Sequence, residues 1–291
     1  MPELPEVETV RRGLEQLVVG RRIVGVDALN PGSLDAPLPL EGVQVTAARR
    51  RAKMLMLDLD DGRCLAVHLK MTGQLVVRNP SADGLQPALG AQGPYSTRVI
   101  FDLDDGARLF FNDQRKFGWI RAVPRDVADG WACEYGPEPM DEDAWPRFRG
   151  LVRRHPRASI KAVLLDQRVV AGIGNIYADE ALWGAGVHPE SRVGALSDRA
   201  LHAVLDEAAA VMEMSIELGG STDRNYVDAE GRRGAYLDFA RVFRREGQPC
   251  YRCGTTIVKT RVAGRGTHLC PKCQRLRKIS EGLTSPARET G

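Results

Sequence analysis

An α+β fold in two domains is predicted by three features of this 291-residue sequence. Short runs of alternating apolar residues fill positions 22–124 and predict strands, whereas apolar residues recur at helical spacing over 159–219. Two Cys-x2-Cys pairs lie near the carboxyl end. Runs of strands followed by runs of helices are typical of α+β proteins. We therefore expect an N-terminal β-sandwich with flanking helices, a C-terminal helical domain and a small cysteine-rich β-hairpin.

The first helix is predicted at residues 5–19. Pro5 suits the first helical position, where its missing N–H needs no partner. Gly20 ends the apolar pattern and is a residue type that commonly follows a helix. One face of the helix is apolar and contains Val7, Val10, Leu14, Leu17 and Val18.

Residues 1–130 are predicted to form the β-sandwich domain. Two of its turns have the similar sequences LDLDDG (57–62) and FDLDDG (101–106), in which Asp-Gly between strand-like runs indicates a hairpin. Residues 79–95 are predicted to be a long loop. The predicted strands cover 22–28, 43–49, 53–60, 63–69, 98–104, 107–113 and 118–124.

The second half of the chain is predicted to be helical. Residues 131–150, rich in proline and acidic side chains, are expected to link the domains. A helical domain is expected at 151–240, a cysteine module at 241–278 and a frayed tail at 279–291. The predicted helices cover 159–166, 175–186 and 197–219.

Charge is distributed unevenly along the chain. The whole sequence has 41 basic and 38 acidic residues, but residues 231–291 contain 14 basic and only 4 acidic ones. A basic end on a mildly acidic body indicates a polyanionic partner such as nucleic acid, and the alternative is a solvated basic tail.

No targeting signal is evident in the sequence. The first ten residues contain three Glu and no Lys or Arg, unlike a secretory signal. No apolar run approaches the roughly 20 residues that span a bilayer. A cytoplasmic protein without membrane contact is expected.

The four clustered cysteines predict a metal site. The pairs are separated by sixteen residues, a spacing within the range of four-thiolate zinc modules. Since the protein fills all four positions, we expect one structural Zn²⁺ rather than a catalytic ion. An iron site and four merely buried thiols are the alternatives. The predicted ligands are Cys250, Cys253, Cys270 and Cys273.

Residues 255–270 between the cysteine pairs predict a β-hairpin with Arg265 at or near its tip. A rigid ribbon that presents basic side chains suits contact with a nucleic-acid groove or a phosphate. A solvated surface arginine is the alternative.

The sequence MPELPE at the amino end suggests a catalytic nucleophile. If Met1 is removed, the Pro2 nitrogen becomes a secondary amine with an α-amino pKa far below that of lysine. Such an amine can attack an aldehyde-like carbon and form an iminium. Glu3 and Glu6 lie three apart and could supply a general acid–base. The alternative is a helix start chosen for propensity and dipole alone.

Together with Lys53, five motifs closely resemble the formamidopyrimidine-DNA glycosylase family of bacterial enzymes, which excise oxidised purines such as 8-oxoguanine. The resemblance runs from residue 1 to about residue 278. The motifs are MPELPEVETVRRGLE (1–15), HLKMTGQL (68–75), DQRKFGW (113–119), DQRVVAGIGNIYADE (166–180) and GRGTHLCPKCQ (264–274).

The resemblance implies a bifunctional DNA glycosylase and abasic-site lyase of base excision repair. Pro2 would attack C1′ of the damaged nucleotide and displace the base, and Glu3 would protonate the sugar ring oxygen. Glu6 matches a second carboxylate near the site. Lys53 and Arg265 match residues that bind phosphates at the lesion. The iminium would drive β- and then δ-elimination of the strand.

The resemblance also implies how double-stranded DNA with oxidised bases or abasic sites is held. GIGNIYADE resembles the family's helix–two-turn–helix, with Asn175 near phosphate and Lys161 facing the DNA. Residues 220–240 correspond to the loop that closes over a flipped purine. The positions that fill the space left by the flipped nucleotide are Met71, Arg115 and Phe117.

Two other functions remain open from the sequence. An endonuclease VIII-like enzyme for oxidised pyrimidines would share Pro2, Glu3 and the zinc hairpin, although RKFG at 115–118 and the long 220–240 stretch favour the purine enzyme. A catalytically inactive zinc-ribbon protein that binds damaged DNA is the other. A monomer acting at the bacterial nucleoid is expected from the family.

Overall fold

A computed structural model describes residues 1–79 and 96–276. Apart from residue 79, the predicted loop 79–95 lies outside these ranges. The predicted tail 279–291 and the last two residues of the predicted cysteine module also lie outside them.

Two β-sheets form the N-terminal domain. The strands within the described residues are β1 Ile23–Ala28, β2 Leu34–Asp35, β3 Val45–Arg51, β4 Met54–Leu59, β5 Arg63–His68, β6 Gly73–Arg78, β7 Thr97–Leu103, β8 Arg108–Asp113 and β9 Trp119–Pro124. One sheet has the order β1-β7-β8-β6 and the other β2-β9-β5-β4-β3. Neighbouring strands are antiparallel except β2 and β9, which pair in parallel.

Strand β4 illustrates how the sequence pattern builds this sandwich. Leu55 and Leu57 belong to the core that both sheets share. Met54 and Met56 alternate with them and join a smaller cluster on the opposite face. Helix α2 (Arg125–Cys133) covers that second face. Both sides of the strand are therefore buried, as expected for side chains that alternate between the two faces of a sheet.

The seven predicted strands are all present, but β2, β6 and α2 were not predicted. Strand β6 contains the uninterrupted apolar run Leu75-Val76-Val77. Leu75 and Val77 belong to the sandwich core, whereas Val76 packs against Val227 of the second domain. Because both faces of β6 are covered, its sequence lacks the alternation that identified the other strands.

Helix α1 (Leu4–Leu17) joins the two domains. It begins one residue before the predicted start, so Pro5 occupies the second helical position. Val7, Val10 and Leu14 are buried in the sandwich core, but Leu4 is buried in the core of the helical domain. A single helix therefore fixes the chain's amino end at the boundary between the two cores.

The helical domain contains α3 (Ala144–Val152), α4 (Ile160–Leu164), α5 (Asn175–Gly184) and α6 (Asp198–Glu217). The last three confirm the predicted helices, with shorter ends. Ser159 and Ser197 precede α4 and α6, and their side chains accept hydrogen bonds from Ala162 N and Ala200 N. Such N-caps satisfy amides that have no partner within the helix.

The predicted hairpin between the cysteine pairs is confirmed. Strands β10 (Val258–Val262) and β11 (Arg265–Leu269) pair antiparallel, with Val262 opposite Arg265. The two turn residues, Ala263 and Gly264, have φ of 51° and 74°. Positive φ at both positions matches the twist of a tight two-residue hairpin. Arg265 therefore stands directly beside the turn.

Ion pairs connect the sandwich to the predicted linker. Arg50 donates to both carboxylate oxygens of Glu138 at 2.8 Å, and Ala52 N donates to the same carboxylate at 2.7 Å. Arg51 lies 3.2 Å from Asp141.

Helix α3 begins inside the predicted linker, and the domain boundaries at 130, 150 and 240 stay predictions. Within the two described stretches, no helix has the length and apolar character needed to cross a membrane.

Removing the Glu138 carboxylate should destabilise the fold. Glu138→Ala would deprive the mostly buried Arg50 guanidinium of its bidentate partner, so we expect the free energy of unfolding to fall by about 3 kcal/mol. Urea unfolding measures this change. Asp143→Ala, which removes a mostly exposed partner of Arg147, is the control and should cost less than about 1 kcal/mol. Equal losses in both variants would contradict the interpretation.

Candidate active site and zinc centre

The Glu3 carboxylate lies against the start of α5. It accepts hydrogen bonds from Gly174 N at 2.6 Å and Ile176 N at 2.9 Å, and the residue is only 2% exposed. A Cβ on Gly174 would overlap the Glu3 carboxylate, so glycine is needed for this approach. Burial raises the pKa of Glu3, while the Lys53 charge and the Ile176 amide act against that rise.

Glu6 is a second buried carboxylate and connects three segments. Its Oε2 accepts from Glu3 N at 2.8 Å. Its Oε1 accepts from the Tyr177 hydroxyl at 2.6 Å and from both the amide and the hydroxyl of Ser221 at 2.8 Å. The carboxylate therefore holds together the start of α1, helix α5 and the first residues of the stretch that follows α6.

Lys53 lies between β3 and β4 and is 6% exposed. Its Nζ donates to the Ile173 carbonyl at 2.7 Å, one residue before the amide that binds Glu3. Burial lowers the pKa of Lys53, and the charges of Glu3 and Glu6 partly offset that effect. The structure thus brings together Glu3 and Lys53, which are fifty residues apart in the sequence.

Two cavities meet at the amino end of the chain. One, of about 420 Å³, contains Glu3, Lys53, Asn175 and Arg265 in its wall. The other, of about 310 Å³, is lined by Pro2 and by three segments that carry Met71, Arg115 and residues 223–226. Met1, Met71, Ile176 and Asp223 border both cavities. Most of the predicted catalytic and DNA-contacting residues therefore surround one opening.

Met1 and Pro2 differ in accessibility. Pro2 is buried, whereas Met1 is 43% exposed and borders both cavities. With Met1 attached, the Pro2 nitrogen is a peptide nitrogen without a lone pair for attack. Removal of Met1 would open space beside Pro2 and expose its nitrogen to the cavity.

Arg115 and Phe117 form an exposed pair on the turn between β8 and β9. The Arg115 guanidinium lies 4.8 Å from the centre of the Phe117 ring, and Phe117 is 54% exposed. Two hydrogen bonds fix the turn: Asp113 accepts from Gly118 N at 2.7 Å, and Thr72 Oγ1 accepts from Arg115 N at 3.0 Å. The adjacent loop presents half-buried Met71. An apolar ring and a cation on a rigid turn suit insertion into a base stack.

Lys161 does not face outwards as expected, and its contact with DNA stays a prediction. Its side chain is fully buried, and Nζ donates to Asp179 Oδ1 at 2.6 Å and to Thr267 Oγ1 at 2.7 Å. Asp179 also accepts from His268 N at 2.8 Å. This buried ion pair attaches β11 to α4 and α5, and so holds the strand that carries Arg265.

Asn175 is the first residue of α5 and remains half-buried. Its Nδ2 donates to Gly266 O at 3.0 Å, next to Arg265. Its Oδ1 is buried and has no hydrogen-bond partner among the described residues. Arg265 itself is exposed. These two side chains and the helix N-terminus form a polar, cationic edge of the larger cavity.

The four cysteines converge as the spacing predicted. Their sulfur atoms lie within 4.8 Å of one another, including 3.5 Å between Cys253 and Cys270 and 4.0 Å between Cys250 and Cys273. A tetrahedral zinc with sulfur ligands at about 2.3 Å requires sulfur separations near 3.8 Å. The donor set therefore fits one structural Zn²⁺. The ion would hold the two cysteine turns together at the base of the Arg265 hairpin.

Sequence reasoning missed Tyr177 and Ser221, which are the partners of Glu6. Tyr177 lies within the motif GIGNIYADE, but nothing in the motif indicates that its hydroxyl meets a glutamate 171 residues away. Ser221 is the second residue of the predicted 220–240 loop, and its amide contact with Glu6 depends on the backbone path. Neither contact has a local sequence signal.

Three family models match the chain. The model of the formamidopyrimidine-DNA glycosylase N-terminal domain matches residues 1–120, and that of the formamidopyrimidine-DNA glycosylase H2TH domain matches 135–226. The model of a zinc finger found in FPG and IleRS matches 247–276. These matches confirm the predicted combination of sandwich, helix–two-turn–helix and zinc hairpin.

The chain is also similar to individual proteins over nearly its whole length. A formamidopyrimidine-DNA glycosylase of Chloroflexus aggregans is 44% identical over 94% of this chain and 98% of the relative. A Lactococcus lactis Fpg structure with abasic-site DNA has a TM-score of 0.83, at 34% identity over 94% of this chain and 99% of that one. A variant of the Lactococcus lactis protein with Fapy-dG-containing DNA gives 0.85, at 35% identity over 94% of this chain and 100% of that one. On these grounds the chain belongs to the formamidopyrimidine-DNA glycosylase family.

Proposed function

We propose that this protein is a bifunctional DNA glycosylase and abasic-site lyase that excises oxidised purines, including 8-oxoguanine and formamidopyrimidines, from double-stranded DNA. The observation that supports it most directly is the burial of both Glu3 and Lys53 against the backbone at the start of α5, beside the amino end of the chain. The names of the relatives and the DNA lesions in the similar structures agree with this activity.

The first step uses the amino end. After removal of Met1, the Pro2 nitrogen attacks C1′ of the damaged nucleotide as the bond from C1′ to the base breaks, and the proton that this nitrogen loses balances the one that the departing base takes up. Glu3 gives a proton to the sugar ring oxygen, which opens the ring and leaves an iminium between Pro2 and C1′. Because burial raises the pKa of Glu3, the acid keeps its proton to higher pH than an exposed glutamate. Glu6 supports the site by fixing the Glu3 backbone.

The phosphates beside the lesion would meet the cationic edge of the larger cavity. Lys53 and Arg265 provide charge, and the Asn175 side chain lies at a helix N-terminus, where amides and dipole favour anions. The iminium withdraws electrons from the sugar and acidifies its C2′ hydrogens. Glu3, a carboxylate after the first step, takes up a C2′ proton as the 3′ phosphate leaves by β-elimination, and the 5′ phosphate then leaves by δ-elimination. Lys161 serves this edge indirectly by holding β11.

Access to C1′ requires the nucleotide to leave the base stack, at a cost of a few kcal/mol. Met71 and Phe117 are suited to enter the vacated space, and Arg115 can donate to the base left without a partner. Ser221 and residues 223–226 line the cavity beside Pro2 and would cover the displaced purine. We expect a monomer acting at the nucleoid in the cytoplasm.

Pro2→Gly should weaken or abolish covalent trapping. Borohydride reduces a live iminium to a stable protein–DNA crosslink, so the trapped product reports the nucleophile directly. Intact-mass measurement must first verify that Met1 is absent from both proteins. Pro37→Gly, an exposed loop proline away from the site, is the matched control and should trap like the parent. Full trapping by a protein that retains Met1 would rule out the Pro2 amine.

A lesion panel separates the purine enzyme from its relatives. We expect faster excision from duplexes with 8-oxoguanine opposite cytosine than from duplexes with thymine glycol opposite adenine. The opposite order would favour the endonuclease VIII-like alternative. Binding without cleavage or trapping on every duplex would favour an inactive damage-binding protein.

Lys53 should make the free energy of unfolding depend on pH below about 10.4. Its pKa is lowered in the folded protein, so between that value and an unfolded pKa of about 10.4 the unfolded chain binds more protons. The free energy of unfolding contributed by Lys53 therefore rises with pH across this window. Urea unfolding at several pH values should show this rise in the parent and its loss in Lys53→Met. The control Lys259→Met removes a half-exposed lysine and should keep the rise.

A further inference from the structure

Gly13 lies in the middle of α1, where glycine is less favourable than alanine. A Cβ added at Gly13 would lie 2.6 Å from Cβ of Ala229 and 3.7 Å from its Cα. Carbon atoms at 2.6 Å overlap strongly, and Ala229 Cβ is attached directly to the backbone, so it cannot turn away. The glycine therefore permits a close contact between the first helix and a segment more than two hundred residues later in the chain.

The same segment is held from its other side by the edge of β6. Val77 N donates to Ala229 O at 2.8 Å, and Arg78 Nη1 donates to Glu230 O at 2.8 Å. Ala229 is 1% exposed and belongs to the sandwich core. We call Gly13, Val77 and Arg78 the seat. The seat holds Ala229 and Glu230 of the second domain against the first domain.

The residues just before Ala229 form a wall of the cavity at Pro2. Asp223, Arg224, Asn225 and Tyr226 all line that cavity. Asn225 O accepts a hydrogen bond from the Gln74 side chain, also on β6. Tyr226 is 7% exposed and packs in the sandwich core. Since only two residues separate Tyr226 from Ala229, a displacement at the seat must be transmitted to the cavity wall.

Hydrogen bonds within the segment also fold residues 228–232 into a compact turn. Asp228 Oδ1 accepts from Glu230 N at 3.0 Å and from Arg232 N at 2.8 Å, and its Oδ2 accepts from Arg232 Nε at 2.8 Å. This compact turn gives the segment few ways to absorb an added methyl group. The added volume would instead push the backbone at Ala229 away from α1.

We propose that Gly13 is a positioning residue for recognition of the damaged base: it sets the depth at which Ala229 docks on α1 and thereby the position of residues 223–226 over Pro2. This inference rests on the proposed function. A nucleotide that still carries its base must fit beneath this wall. An abasic nucleotide has no base to contact it, so its cleavage depends on Pro2, Glu3 and Lys53 but not on the seat.

Gly13→Ala tests the proposal, and Ala229→Gly in the same protein should undo the effect by removing the methyl group that the new side chain meets. Gly130→Ala is the matched control, because it also adds a methyl group to a helical glycine but meets no atom within 4 Å. Single-turnover rates are measured for 8-oxoguanine excision and for cleavage at a preformed abasic site. Hydrogen exchange of the Val77 amide reports docking of Ala229 without any catalysis.

A backbone shift of about 1 Å near reacting groups can cost about a hundredfold. We therefore expect Gly13→Ala to slow 8-oxoguanine excision at least about tenfold. Abasic cleavage should change less than about twofold, and the Val77 amide should exchange faster. The double variant should recover both the excision rate and the protection, and Gly130→Ala should match the parent.

Three results would overturn the proposal: equal losses on both substrates, unchanged excision in Gly13→Ala, or no recovery in the double variant. Should Gly13→Ala fail to fold, Ala229→Val enlarges the same contact from the other side and is judged by the same criteria. If the parent cleaves neither substrate, the proposed function fails. The Val77 exchange rates in the four proteins then still decide whether Gly13 sets the docking of Ala229.

Discussion

The arrangement of this protein depends on the contact between the Glu3 carboxylate and the first amides of α5. Burying a carboxylate is costly unless hydrogen bonds replace its water. Gly174 N and Ile176 N supply them at a helix start, where the dipole also favours a negative charge. The contact fixes the amino end of α1 on the second domain. Lys53 Nζ then donates to the Ile173 carbonyl beside it, so its amino group also lies next to this helix start.

Other buried carboxylates act in a similar way at the remaining joints. Glu180 accepts from the amides of Arg241, Val242 and Phe243 and so fixes the chain as it enters the cysteine module. Asp179 pairs with Lys161 and holds β11. Each carboxylate is satisfied by groups from a different segment, so the ion pairs and hydrogen bonds specify relative position. The module has little apolar core of its own, and zinc and these carboxylates provide the constraint instead.

Buried and exposed side chains have different roles in this arrangement. Glu3, Glu6, Lys53 and Lys161 are buried, and their interactions define geometry and protonation. Arg115 and Phe117 on the turn between β8 and β9, and Arg265 beside the turn between β10 and β11, are exposed and can reach a ligand outside the fold. Burial shifts the pKa values of Glu3 and Lys53 in opposite directions, because it disfavours the charged form of each. Such opposed shifts are characteristic of acid–base chemistry in active sites.

The sequence by itself determined the elements whose signals are local. Periodicity predicted α1, α5 and α6, the Asp-Gly turns predicted hairpins, and the cysteine spacing predicted the metal module. The motifs also singled out Pro2, Glu3 and Lys53, which the structure places around one opening. These features depend on residues that are near one another in the chain or on motifs whose order is fixed.

Only the tertiary structure decided which charged groups are buried and by what they are held. Lys161 is buried because its partners Asp179 and Thr267 come from 18 and 106 residues away, and no local pattern encodes that meeting. Strand β6 was not predicted because Val227 of the second domain covers its outer face, so both faces are apolar and the sequence does not alternate. Gly13 is explained by Ala229 alone. Helical and strand periods report which face of an element is apolar, whereas the identity of the facing segment depends on how the whole chain packs.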